Sequence, residues 1–214
     1  MQCQAAEWKG LRAVRLLGGG YEAVILPDFG ANCISLLHQA SGRELLRTPP
    51  TADALRENCN VYGLPLLFPP NRLRDGRFTF EGRDYVFPIN EPSRGNHLHG
   101  FLSRTTFVSN GDGRFSYTAA EPHAYLSFPH AFTLERAYGL DEQGLTHILT
   151  VTNQSATRMP VGVGIHAALN AAPEADCRLQ ADVLRRWAVD PVRLLPTGES
   201  FTDEPLLNDL RSGR

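Results

Sequence analysis

Arg77-Phe78-Thr79-Phe80-Glu81-Gly82-Arg83-Asp84-Tyr85-Val86-Phe87 is a hairpin written in sequence. Two runs alternate aromatic with charged or polar residues on either side of Glu81-Gly82. Side chains alternate faces along a strand, so each run can bury its aromatics and wet the rest. Glycine in the short connection accepts the left-handed backbone that a tight hairpin demands. The stretch predicts antiparallel β structure, and the same grammar recurs outward from it in both directions.

Thr105–Ser109 and Arg114–Thr118 flank Asn110-Gly111-Asp112-Gly113. Phe132–Leu140 turns at Asp141–Gly144 and returns through Leu145–Asn153, and Tyr21–Leu26 faces Ala31–Leu37 across Pro27-Asp28-Phe29-Gly30. Short strands at this spacing, with 19 glycines and 15 prolines as punctuation, favour a sandwich or barrel over alternating βαβ units. One short helix is expected over Thr51–Asn60, with Thr51 as its cap and Asp53 in the first turn. No internal repeat or linker composition interrupts the chain, so residues 1–214 are expected to form a single domain.

The composition excludes several functions. A net charge of -2 provides no electrostatic footprint for nucleic acid or an anionic membrane. Lys9 is the only lysine, and it lies in a leader-like N-terminal segment. Schiff-base chemistry, a pyridoxal-phosphate anchor and a Walker-type phosphate loop all need a lysine inside the fold. Cys3, Cys33, Cys59 and Cys177 are widely spaced without a CxxC, as expected of reduced, buried or half-buried thiols. No signal-peptide core and no long apolar run is present, and the expected compartment is the cytoplasm.

Three polar clusters depart from a plain β pattern. The apolar run Gly63-Leu64-Pro65-Leu66-Leu67-Phe68-Pro69-Pro70 ends abruptly in Asn71-Arg72. Prolines cannot join a central ladder, so Asn71 and Arg72 are expected at a sheet edge. There the guanidinium either recognises hydroxyls or a carboxylate of a ligand, or simply pairs with a neighbouring acid. In Gly95-Asn96-His97-Leu98-His99-Gly100-Phe101, His97 and His99 would share one face of an extended chain. Two histidines are too few for zinc, so a neutral imidazole beside a glycine, close to a small ligand, is the preferred reading and no metal is expected. In Val161-Gly162-Val163-Gly164-Ile165-His166, the histidine lies on the glycine face, where a ligand or another backbone can approach closely. His38, His123, His130 and His147 receive no role.

Taken together and in order, Asn71-Arg72, then Leu98-His99-Gly100, then Gly164-Ile165-His166 with Asn170 beyond, resemble the aldose 1-epimerase (galactose mutarotase-like) family. The stretch from Gly63 to Phe101 is especially similar, and the resemblance runs from about Tyr21 to the end. It implies an all-β fold, an antiparallel β-sandwich of the supersandwich kind. It also implies cofactor-free interconversion of the α and β anomers of free aldoses such as glucose or galactose. By the same resemblance His166 is the general acid at the ring oxygen. His99 and Arg72 hold sugar hydroxyls and polarise the ring, and Asn71 supports them. Ring opening moves one proton off O1 while another arrives at O5, so an acid and a base must flank the sugar. A histidine can serve as either.

Family members usually run to about 300 residues, and the resemblance implies a sandwich incomplete at its C-terminus, lacking about a third of that length with the family's substrate-binding aspartate and catalytic glutamate, so that turnover by this chain alone is not expected. Glu199 and Glu204 are not in the family's base motif and inherit no role. Ala167 and Ala168 stand where an aromatic residue is usual. Exposed strand edges are expected to favour self-association. Two competing readings follow from the residues: a non-catalytic carbohydrate-binding sandwich using Arg72, His99 and His166, and a metal-dependent β-sandwich using His97 and His99.

Overall fold

The structure is a computed structural model describing residues 1–120, 128–171 and 180–212. His123 and Cys177 lie outside the described residues. A first antiparallel sheet runs in chain order through β1 (Gln2–Trp8), β2 (Leu11–Gly18), β3 (Tyr21–Leu26), β4 (Asn32–His38) and β5 (Arg43–Glu44). The N-terminal segment is thus an edge strand of this sheet. Gln2 to Trp8 pair in register with Leu17 to Leu11, and Lys9-Gly10 form the turn with φ of 48° and 78°.

Thr51 caps α1 (Ala52–Glu57), accepting the Ala54 amide at 3.0 Å. Beyond it come the short strands β6 (Leu66–Leu67) and β7 (Arg72–Arg74), the hairpin β8 (Arg77–Phe80) and β9 (Arg83–Val86), and β10 (Asn96–Leu98). A second antiparallel sheet follows: β11 (Val108–Gly111), β12 (Arg114–Ala119), β13 (Phe132–Asp141) and β14 (Gly144–Asn153). The chain then runs through β15 (Gly164–Ile165), the hairpin β16 (Arg186–Val189) and β17 (Pro196–Phe201), and α2 (Pro205–Ser212). No helix among the described residues is long and apolar enough to cross a membrane.

The two larger sheets pack face to face. Val14, Leu16, Ala23 and Ile25 of the first share one core with Phe115, Phe132, Leu134, Tyr138 and Leu140 of the second. The opposite face of the first sheet is covered by Leu55 of α1 and by Cys59, which bury Ala13, Leu26 and Ile34. Strict alternation along β13 explains its placement. Phe132, Leu134, Arg136, Tyr138 and Leu140 are all buried, while the residues between them are half-buried.

Arg136 is the exception on that apolar face, at 0% exposure. A buried cation needs every donor satisfied. Its Nη1 donates to the Gly30 carbonyl at 2.7 Å, its Nη2 to the Leu64 carbonyl at 2.9 Å, and its Nε to His147 Nε2 at 3.2 Å. One side chain of the second sheet thereby fixes two loops that leave the first. Tyr138 adds a third tie, donating to the Ala31 carbonyl at 2.8 Å.

Candidate active site

The segment 63–72 is the spine on which the sequence-predicted residues are mounted. Its first half carries the arm of His166. β15 pairs antiparallel with β6, the His166 amide donates to the Pro65 carbonyl at 3.0 Å, and the Ala168 amide donates to Gly63 at 2.9 Å. Its second half carries the arm of His99. Leu98 is opposite Arg72, the His99 amide donates to the Asn71 carbonyl at 2.9 Å, and the Phe101 amide donates to Phe68 at 3.2 Å. The two arms bring His99 and His166 together, with ring centroids 5.4 Å apart and planes at 71°.

Backbone conformation aims His99. Asn71, His99 and Gly100 have φ of 58°, 66° and 69°. Asn and His tolerate this left-handed region better than most side chains, and such residues gather at functional sites. At Gly100 only glycine fits, because a Cβ there would lie 2.0 Å from the Phe68 carbonyl oxygen. The extended chain stops at Leu98, so the shared face that a continuous strand would give His97 and His99 is lost. His97 is 1% exposed, packs on Phe87 with ring centroids 4.9 Å apart, and bonds the Pro88 carbonyl through Nδ1 at 2.7 Å. His97 is thereby committed to the core, and no cluster of three His, Cys, Asp or Glu suited to a metal occurs among the described residues.

The glycine face beside His166 is also occupied. A Cβ on Gly162 or Gly164 would come within 3.0 Å of the Pro70 ring, so these glycines admit Pro70 and seat β15 against the spine. Val161, Val163 and Ile165 point the other way and are exposed. His166 itself is exposed, and Asn170 is structural, its amide donating to the Glu44 and Leu46 carbonyls.

Arg72 is paired with an acid. Its Nε and Nη2 form a bidentate pair with Glu91 at 2.8 and 2.9 Å, the two side chains being 19% and 11% exposed. Neither bond uses Nη1. The Arg72 guanidinium, helped by Asn96, holds the Glu91 carboxyl down at about 2. The Asn71 amide is exposed, and it is the backbone of Asn71 that meets His99. Burial, reinforced by His166 and Arg72, depresses the His99 imidazole to about 4, so it is neutral near pH 7. Its Nδ1 is buried with no hydrogen-bond partner among the described residues.

Glu91 and Asn96 were not singled out from sequence. Glu91 opens Glu91-Pro92-Ser93-Arg94-Gly95, whose composition signals a turn and nothing more. Its partner is 19 residues away, beyond the reach of any local pattern.

The fold and the site together define an antiparallel β-sandwich whose histidine pair and guanidinium stand on short strands attached to a single proline-rich spine. Residues 12–214 match the aldose 1-epimerase family, and the chain belongs to that family. A galactose mutarotase-like protein from Clostridium acetobutylicum has 32% sequence identity and a TM-score of 0.91, the similarity covering 99% of this chain and 68% of that one. The uncharacterized protein YihR of Escherichia coli is 28% identical over 202 residues, 92% of this chain and 63% of that one. Uncharacterized YphB of the same organism is 30% identical over 125 residues, 58% of this chain and 41% of that one. The chain thus matches less than two thirds of the length of either curated relative.

Proposed function

We propose that this chain carries the sugar pocket of an aldose 1-epimerase acting on free aldoses such as glucose or galactose. The observation that carries the reading is the joining of His99 and His166, 67 positions apart in sequence, into a pair of rings 5.4 Å apart on one spine. His99, held neutral by burial, is unsuited to donate a full proton, which leaves that task to the exposed His166. His166 protonates O5 as the C1–O5 bond breaks, while the O1 proton leaves to a base and C1=O1 forms. The open aldehyde rotates about C1–C2 and recloses on the other face, returning the O5 proton. Arg72 and His99 hold hydroxyls and polarise the ring oxygen, and Asn71 supports them through its backbone bond to His99.

A second reading is sugar binding without turnover. It is favoured by Glu91, the acid whose field reaches His99 but whose oxygens are committed to Arg72 and Asn96. Anomer exchange followed by NMR separates the two. Exchange above the spontaneous rate, falling about a hundredfold in His166→Ala, supports the epimerase. Saturable sugar binding without exchange supports the binding module, and the absence of both exchange and binding overturns both readings.

The reading extends to residues 1–214 acting as one unit, supported by the core shared between the two sheets. It places the protein in the cytoplasm, where the free thiols of Cys3, Cys33 and Cys59 would remain reduced. Copies are proposed to associate through strand edges near the exposed Val161, Val163, Trp187 and Val189. Sedimentation over a hundredfold concentration range tests this, and a single monomeric species throughout would contradict it.

A further inference from the structure

We propose that Arg193, in the turn of the β16–β17 hairpin, is a positioning residue that sets the orientation of the Arg72 guanidinium through Asn96 and Glu91. The inference rests on Arg72 being a sugar-hydroxyl donor. The relay can be followed bond by bond. Arg193 Nη2 donates to Asp75 Oδ1 at 2.6 Å, just past the end of β7, and to the Gly95 carbonyl at 2.9 Å, just before β10. Its Nε donates to the Arg94 carbonyl at 3.1 Å. The single guanidinium therefore ties together the ends of the two strands that present Arg72 and His99.

Asn96 transmits this hold. It is 0% exposed, its Nδ2 donating to the Arg193 carbonyl at 2.9 Å and to Glu91 Oε2 at 3.0 Å. Backbone bonds between Glu91 and Asn96, at 3.1 and 3.3 Å, close the intervening turn. Glu91 then accepts the Arg72 fork with both oxygens. A bidentate pair fixes both the position and the plane of a guanidinium. Freed from it, the long Arg72 side chain would sample several rotamers, and the sugar would have to order it on binding.

The Arg193 turn is itself built for the task. Asp190 caps it, accepting the Val192 amide at 2.8 Å, while the Leu194 amide returns to the Asp190 carbonyl at 2.8 Å. Gly95 leaves room for the guanidinium, since a Cβ there would stand 3.3 Å from Arg193 Nη2.

The test compares Arg193→Ala and Arg193→Lys with the parent by three measurements. These are thermal melting, the dissociation constant for galactose or glucose, and the NMR signal of the Arg72 Nε–H, assigned by its loss in Arg72→Lys. In Arg193→Ala the Arg72 signal is expected to exchange with water about fivefold faster, and the sugar constant to weaken about fivefold. Arg193→Lys restores part of both. A lowered melting temperature with an unchanged Arg72 signal overturns the proposal, because it would show Arg193 to be structural only. Should Arg193→Ala fail to fold, Asp75→Asn loosens the same guanidinium from the exposed side, and the same signal decides. If the parent binds no sugar, the sugar-pocket reading fails, yet the Arg72 signal still tests the relay.

Discussion

At the residue scale, the site depends on backbone conformations that most side chains avoid. Gly100 is the most constrained. Its φ is 69°, and the Phe68 carbonyl oxygen occupies the place of a Cβ. Gly100→Ala must therefore move the His99 arm away from the spine. We expect a loss of about 3 kcal/mol in chemical denaturation, together with weaker sugar binding. A variant with parent stability would show that the arm relaxes at no cost. The same scale separates what sequence conveys from what it hides. His99 and His166 were legible through their glycine neighbours and their order along the chain. The burial that neutralises His99 was not, because it arises from residues distant in sequence. Nor was the divergence of His97 from His99, since period-two alternation holds only while the chain stays extended and His99 has already left the strand.

At the element scale, hairpins announced themselves where a short polar turn joins alternating runs. β8–β9 forms across Glu81-Gly82 with Phe80 opposite Arg83, and β13–β14 pairs continuously from Phe132–Asn153 to Asp141–Gly144. β11 begins at Val108, later than Thr105, because Leu102–Arg104 form a 3-10 turn closed by the Thr105 amide donating to the Leu102 carbonyl. The hairpin β1–β2 was hidden by its composition. Gln2–Trp8 is polar and half exposed, as suits an edge strand. β15 is the element on which the site most depends. Gly162 and Gly164 face Pro70 at 3.0 Å, so Gly164→Val has no room against the Pro70 and Leu67 side chains. That substitution should displace β15 from β6 and carry His166 away from His99. Sugar affinity is expected to fall about tenfold, as read by NMR titration, with little loss of the main sandwich. Unaltered affinity would mean that His166 keeps its place without this packing.

At the scale of the whole molecule, Arg136 couples the second sheet to the loops at Gly30 and Leu64, and Leu64 belongs to the spine of the site. Arg136→Met removes the donors and leaves those carbonyls buried and unsatisfied. A loss of about 3 kcal/mol is expected, measured by urea denaturation, and a neutral effect would mean that water replaces the guanidinium.

Buried histidines and a paired carboxylate also make global stability depend on pH in one direction. His99 and His147 are depressed from 6.5 to about 4 by burial, with neighbouring positive charge adding to the effect, and burial lowers His97 in the same direction. As pH falls through 6.5 the unfolded chain takes up protons that the folded chain refuses, so stability is lost between 6.5 and about 4. Glu91 is depressed from 4.5 to about 2 by Arg72. Its contribution is complete above 4.5 and fades below that value, extending the decline after the histidines have titrated. Near neutrality only the histidines contribute to the slope. His147→Gln keeps a polar side chain that can accept from Arg136 but removes one of the three histidine titrations. The fall in unfolding free energy from pH 7 to pH 5 should shrink by about a third in that variant, and an undiminished fall would place the pH dependence elsewhere in the molecule.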